Sequence, residues 1–234
     1  MSLDGVLYRL LFQRSYRDAF LRGDIEALGL SPSDVSAFST VDRGELARAA
    51  RLACDGILRR SHRGTGSLLD AFAQTIGAWR HAHPNHSLED LADELTQSLH
   101  FERYRVQPCG SGGLSLQEVF FRFAEDAEIG DAPTRKAECA RALLKTLVVT
   151  PAPTFALPPF IFRAPKGHFA ILEEGEPTLM AAVEGRFVTG PITRFLAELL
   201  ISGESPSHVA ERFGVDAAVL DASCDELRRL GLFA

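Results

Sequence analysis

The stretch TPAPTFALPP, residues 150–159, divides the chain into two parts with different sequence patterns. Four of its ten residues are prolines, which lack a backbone N–H and disrupt the interior of a helix. Apolar residues at helical spacing come before this stretch, and short apolar runs typical of strands come after it. The sequence therefore predicts a helical domain over residues 1–149, a Pro-rich linker over 150–159 and a second domain over 160–234.

The first part carries repeated signals for helix starts. Asp42 is followed three residues later by Glu45, and Ser115 by Glu118 at the same spacing, as in a capping box. Apolar residues then recur every three or four positions. Residues 68–82 are predicted to form one helix.

The second part begins with short apolar runs bounded by Gly and Pro, namely Phe160–Phe162, His168–Leu172, Leu179–Val183 and Arg186–Val188. The Glu184-Gly185 pair predicts a tight turn between the last two runs. Helical periodicity returns after Pro191, in three segments. We interpret this order as three strands followed by three helices, a winged-helix-like module. The predicted fold class is α+β, mainly α.

The composition and charge of the chain argue against several classes of protein. The formal charge of −6 is spread along the chain, so no basic surface for nucleic acid is apparent. No segment approaches the roughly 18 consecutive apolar residues of a membrane span, and charges interrupt the N-terminal apolar stretch, so we expect a soluble, cytoplasmic protein. We expect reduced, mostly buried thiols, because no CxxC pair occurs among Cys54, Cys109, Cys139 and Cys224.

Candidate catalytic and metal-binding residues are few. No GxSxG elbow or phosphate-binding loop occurs, and residues 109–113 are better explained as a hinge. The run from His81 to His86 could supply imidazole ligands, although Pro84 prevents His83 and His86 from sharing a helix face. We expect a solvated loop there, no catalytic residue and no cofactor in this chain. A small metalloenzyme using the His81–His86 region stays an alternative.

A second alternative is an acidic winged-helix transcriptional regulator, with residues 215–230 as its recognition helix. Residues 151–234 contain seven basic and eleven acidic side chains, a formal charge of −4. Because Lys and Arg supply most of the affinity for phosphate backbones, this charge disfavours DNA binding.

Such a module can instead bind an extended peptide, which adds itself to a sheet edge beside a helix. The third strand and the last helix would form the cleft. The candidate peptide-binding residues are Arg186, Phe187, Val188, Val219, Leu220, Ser223, Cys224 and Leu227.

Two parts of the sequence resemble proteins of ribosomal peptide biosynthesis. Residues 168–172 (HFAIL), 184–215 (EGRFVTGPITRFLAELLISGESPSHVAERFGV) and 225–233 (DELRRLGLF) resemble the PqqD-like recognition elements, small winged modules that bind a precursor's leader as an added strand. Residues 7–38 (LYRLLFQRSYRDAFLRGDIEALGLSPSDVSAF) resemble the opening of partner proteins of multinuclear non-heme iron-dependent oxidases, of the methanobactin or 3-thiaglutamate pathway type.

The resemblance implies a non-catalytic partner subunit that binds a ribosomally made precursor peptide and presents it to the oxidase. It implies a heterodimer in which iron and catalysis belong to the companion enzyme. Neither nucleic acid nor membrane is an expected partner.

Overall fold

The computed structural model describes residues 3–24, 28–38, 40–61, 66–107 and 112–233. The helices before the linker are α1 Leu3–Phe12, α2 Arg14–Arg22, α3 Pro32–Phe38, α4 Arg43–Arg59, α5 Leu68–Ala71, α6 Ala73–Ala82, α7 Leu88–Gln97, α8 Leu99–Val106, α9 Leu116–Asp126 and α10 Ala132–Val149. The strands are β1 Phe162–Ala164, β2 Gly167–Leu172, β3 Thr178–Val183 and β4 Arg186–Pro191. The last helices are α11 Arg194–Ile201, α12 Pro206–Phe213 and α13 Ala217–Arg229. The predicted class, α+β and mainly α, is confirmed.

Side-chain caps begin several helices where the sequence predicts them. The Asp42 carboxylate accepts a hydrogen bond from the Glu45 N–H at 2.9 Å, and the Ser115 hydroxyl accepts one from the Glu118 N–H at 3.1 Å. These oxygens bond helix N–H groups that have no partner within the helix. The Glu118 side chain does not complete a capping box, because its carboxylate bonds Arg122 instead.

The prediction of a single helix over residues 68–82 is wrong. The helix breaks at Phe72, whose φ of −120° and ψ of 41° are not helical, and α6 starts anew after it. A buried carboxylate from α10 explains the new start. Glu138 accepts hydrogen bonds from the N–H groups of Gln74 and Thr75, at 2.8 and 3.1 Å, and from the Thr75 hydroxyl at 2.6 Å.

The four strands form one antiparallel sheet in the order β1-β2-β3-β4. Four strands replace the predicted three, since the first apolar run contributes a short strand that starts at Phe162. The predicted tight turn is confirmed. Glu184 and Gly185 both have positive φ, 49° and 74°, as a two-residue type I′ hairpin turn requires.

Each face of the sheet is covered by different helices. Ala170, Met180 and Ala182 belong to the large apolar cluster of the preceding helices, and α10 crosses this face. Phe169, Leu179 and Ala181 alternate with them and belong to the cluster of the last helices, as the two-residue period of a strand requires. The sheet therefore shares cores with both parts of the chain.

Residues 150–159 contain neither helix nor strand, as predicted. The backbone of this stretch is hydrogen-bonded to the segment that precedes α9. The Gly112 N–H donates to the Thr154 carbonyl and the Ala156 N–H donates to the Gly113 carbonyl, both at 3.1 Å. Phe155, Leu157 and Phe160 pack against the large apolar cluster.

Cys54, Cys139 and Cys224 are free and buried, as predicted for them, whereas Cys109 lies outside the described residues. None of the described helices combines the length and apolar character needed to cross a membrane.

Candidate functional site

The outer edge of β4 presents unpaired backbone groups within the described part of the chain. Val183 and Arg186 close the two-residue turn, so their N–H and C=O groups bond each other across the hairpin. In an antiparallel ladder the next residue points its backbone groups the opposite way. Phe187 and Thr189 therefore each direct one N–H and one C=O away from β3.

The row of outward-pointing N–H groups on β4 ends at Pro191. Pro191 is in phase with Phe187 and Thr189, yet it has no N–H. An incoming strand would thus find donors on Phe187 and Thr189 only, beside acceptor carbonyls on all three residues.

The side chains of β4 lie on both faces of the sheet. Phe187 is opposite Ala182, on the face covered by α10, and it packs against the large apolar cluster. The Lys145 ammonium of α10 lies 5.9 Å from the Phe187 ring centroid. Val188 is opposite Ala181, on the face of the last helices, and stays 37% exposed.

The predicted peptide-binding residues divide into exposed and buried positions. Arg186 and Val188 are exposed, and so is Val219, at 52%. Phe187, Leu220 and Ser223 are partly buried, whereas Cys224 and Leu227 are 5% and 3% exposed. Leu227 belongs to the apolar cluster that contains Ala181, on the face of the sheet where Val188 lies.

The charges of α13 are largely compensated within the helix. Arg228 is paired with Asp225 at 3.0 Å, and Arg229 is paired with Glu226. Both arginines thus lie beside their own helix's acids, an arrangement poorly suited to binding phosphate.

Two histidines of the run from 81 to 86 form ring contacts with Trp79 and with each other. The rings of Trp79 and His83 are 5.0 Å apart, and the His83 and His86 rings are 5.3 Å apart and nearly perpendicular. The His83 Nδ1 lies 3.0 Å from the Trp79 carbonyl oxygen. Across the described ranges, no three His, Cys, Asp or Glu side chains are grouped so that they could hold a metal ion.

A cavity of about 930 Å³ lies between α8–α10, residues 158–160 and the adjoining ends of β2 and β3. Its apolar wall includes Phe121, Phe160, Leu172 and Met180. Its charged groups are Glu118, Arg122, Glu125, Asp126, Lys136, Arg141, Glu173 and Glu174. His100 completes one end, where its Nε2 lies 2.7 Å from an Asp126 carboxylate oxygen.

Glu118 is the most deeply buried charged residue of this cavity, at 1% exposure. One of its oxygens, Oε1, accepts a hydrogen bond from the Arg122 Nη2 at 2.6 Å. Burial raises the pKa of the Glu118 carboxyl, and the neighbouring Arg122 guanidinium partly offsets this effect. The other oxygen, Oε2, and the His100 Nδ1 are buried without a hydrogen-bond partner among the described residues.

Sequence reasoning missed both Thr189 and the cavity. Thr189 could have been found from strand periodicity, because it lies two residues after Phe187. The cavity left no such signal, since Glu118 was assigned only to a helix start and His100 lies 26 residues from Asp126.

Comparison of the chain with protein-family models, curated proteins and solved structures gives no match.

Proposed function

We propose that this chain is a non-catalytic subunit that binds an extended peptide along the outer edge of β4. The observation that carries the proposal is the pair of outward N–H groups on Phe187 and Thr189. Long edge strands with free donors tend to pair with another chain, and peptide-binding proteins use this tendency.

Specificity would come from side chains on the two sides of β4. Residues of the peptide alternate between the sheet faces, so one set would meet Phe187 and Lys145. The other set would meet Val188 and the accessible residues of α13, Val219, Leu220 and Ser223. Cys224 and Leu227 would support this surface from the core.

The identity of the peptide rests on the sequence resemblance. We propose that it is a ribosomally made precursor and that the chain forms a heterodimer with an iron-dependent peptide-modifying oxidase. Iron and the oxidative chemistry belong to that enzyme in this proposal. The complex would work in the cytoplasm, where precursor peptides are made.

The charges favour peptide over DNA. Winged modules that read DNA bring cations to the phosphate backbone. Here both arginines of the last helix are paired with that helix's own acids, and residues 151–234 carry a formal charge of −4.

The test compares two substitutions at one outward position. Thr189→Pro removes an N–H that points away from β3, so the sheet keeps its own hydrogen bonds. Thr189→Val retains the N–H and the branched shape and serves as the matched control. Each tagged full-length chain is used to capture partners from the native host, and proteins and short peptides are identified by mass spectrometry.

We expect wild type and Thr189→Val to enrich one oxidase and one short peptide. Thr189→Pro should keep the oxidase and lose the peptide. The captured peptide is then synthesised, and its binding is measured by titration calorimetry. Binding to Thr189→Pro should be roughly tenfold weaker than to wild type, because one backbone hydrogen bond to the peptide is lost and the proline ring obstructs the adjoining peptide strand. The proposal fails if no short peptide is enriched, or if Thr189→Pro retains it fully.

A further inference from the structure

We propose that the cavity between α8–α10 and the β2 and β3 ends binds a small organic cation, an amine on an apolar body. This site lies on the α10 face of the sheet and does not involve the outer edge of β4. The proposal is therefore independent of peptide binding.

An unpartnered buried atom points to a ligand that donates hydrogen bonds. Glu118 Oε2 is a carboxylate oxygen with free lone pairs, in a side chain that is 1% exposed. Leaving such an atom without a donor is costly, and native structures do so rarely. An ammonium group in the cavity would supply the missing donor as a charge-assisted bond.

His100 lines the same cavity. Its Nε2 lies 2.7 Å from an Asp126 carboxylate oxygen, and its Nδ1 is buried without a partner among the described residues. The orphaned Glu118 oxygen can only accept hydrogen bonds, so it suits an amine and disfavours a carboxylate or phosphate ligand.

The charge around the cavity has the same sign preference. Five acidic side chains line it, against the three cations Arg122, Lys136 and Arg141. Arg122 is already paired with Glu118, and Lys136 lies 5.6 Å from the Phe160 ring centroid. The local excess of carboxylates attracts a cationic ligand.

The size and walls define the rest of the ligand. A volume of about 930 Å³ is at the upper end of small-molecule sites, which span roughly 300–1,000 Å³. Phe121, Leu172 and Met180 provide an apolar wall for a hydrocarbon or aromatic body. An aryl-alkyl amine combines the required body and donor.

The experiment uses three probes that share one ring. Phenethylamine carries the amine, 2-phenylethanol is the neutral analogue, and 3-phenylpropionate carries the opposite charge. Binding of each to the full chain is measured by titration calorimetry and ligand-observed NMR. We expect a dissociation constant for the amine of about 1 mM or tighter, with the alcohol at least about tenfold weaker and the anion unbound.

Two variants and a control locate the site. Glu118→Gln should weaken amine binding by at least about tenfold, because the charge-assisted bond is lost. Ala137→Leu narrows the cavity from α10 and leaves the Glu118 carboxylate in place, so it should weaken amine binding even if Glu118→Gln folds poorly. Glu94→Gln, at an exposed position of α7, should bind the amine as wild type does.

The proposal is overturned if the amine binds no more tightly than the alcohol, or if the anion binds best. It is equally overturned if no probe binds, or if a folded Ala137→Leu chain binds phenethylamine unchanged.

Discussion

Replacing Glu138 with glutamine should destabilise the fold through the start of α6. The carboxylate is 5% exposed and accepts three hydrogen bonds, two from the backbone of Gln74 and Thr75 and one from the Thr75 hydroxyl. Glutamine keeps one acceptor oxygen, but its NH₂ group would face a backbone N–H. A buried bond to a charged group contributes about 1.5–3 kcal/mol, so we expect a loss of about 3 kcal/mol.

The chain's single tryptophan reports on this site directly, since Trp79 lies in α6 and is 2% exposed. Urea unfolding followed by its fluorescence should give the loss in the free energy of unfolding. The melting temperature should fall by roughly 6–12 °C for a chain of this size. Glu94→Gln makes the same substitution at an exposed position of α7 and should have no measurable effect on the free energy of unfolding. A loss below about 1 kcal/mol in Glu138→Gln would refute the capping role.

Three further outcomes are expected from urea unfolding. Burial raises the pKa of the Glu118 carboxyl above its ordinary 4.5, so the stability that this shift contributes is complete below pH 4.5 and is lost as pH rises through the raised pKa. Wild type should therefore lose stability relative to Glu118→Gln as pH rises from below 4.5 through the raised pKa. Ser87→Ala keeps the Ser87 N–H, the main cause of the lowered Asp90 pKa, but removes the hydroxyl that caps α7 and donates to the Asp90 carboxylate, so it should cost about 1 kcal/mol at neutral pH. The cost should be smaller in acid, because the hydroxyl loses its ionised acceptor as Asp90 is protonated. Gly167→Ala should prevent folding or cost more than about 3 kcal/mol, since its Cβ would lie 2.0 Å from a backbone oxygen of β3, whereas Gly190→Ala meets open space and should be tolerated.

Local sequence patterns predicted the elements that depend on local physics. The hairpin turn at Glu184-Gly185 follows from a glycine that accepts positive φ, and the Asp42 cap follows from a short acceptor side chain at a helix start. The non-helical stretch 150–159 follows from its prolines. Each of these signals lies within a few residues of the structure it determines.

Features that depend on distant residues were not predictable in the same way. The break at Phe72 results from a carboxylate more than sixty residues away in α10, and residues 68–82 alone have the pattern of one helix. The packing of α10 against the sheet was not predictable either, because the apolar residues of α10 do not show from sequence which element they pack against. The cavity is lined by His100, Glu118 and Phe160, which come together only when the chain folds.

The central claim, that β4 accepts a guest strand on its outer edge, can be measured by amide hydrogen exchange resolved by NMR. The exchange rates of the full chain are compared with and without the peptide that it captures from its host. We predict slower exchange for the Phe187 and Thr189 amides on binding, with little change at Val188, whose N–H already bonds β3. Unchanged exchange at Phe187 and Thr189 in the saturated complex would contradict the claim.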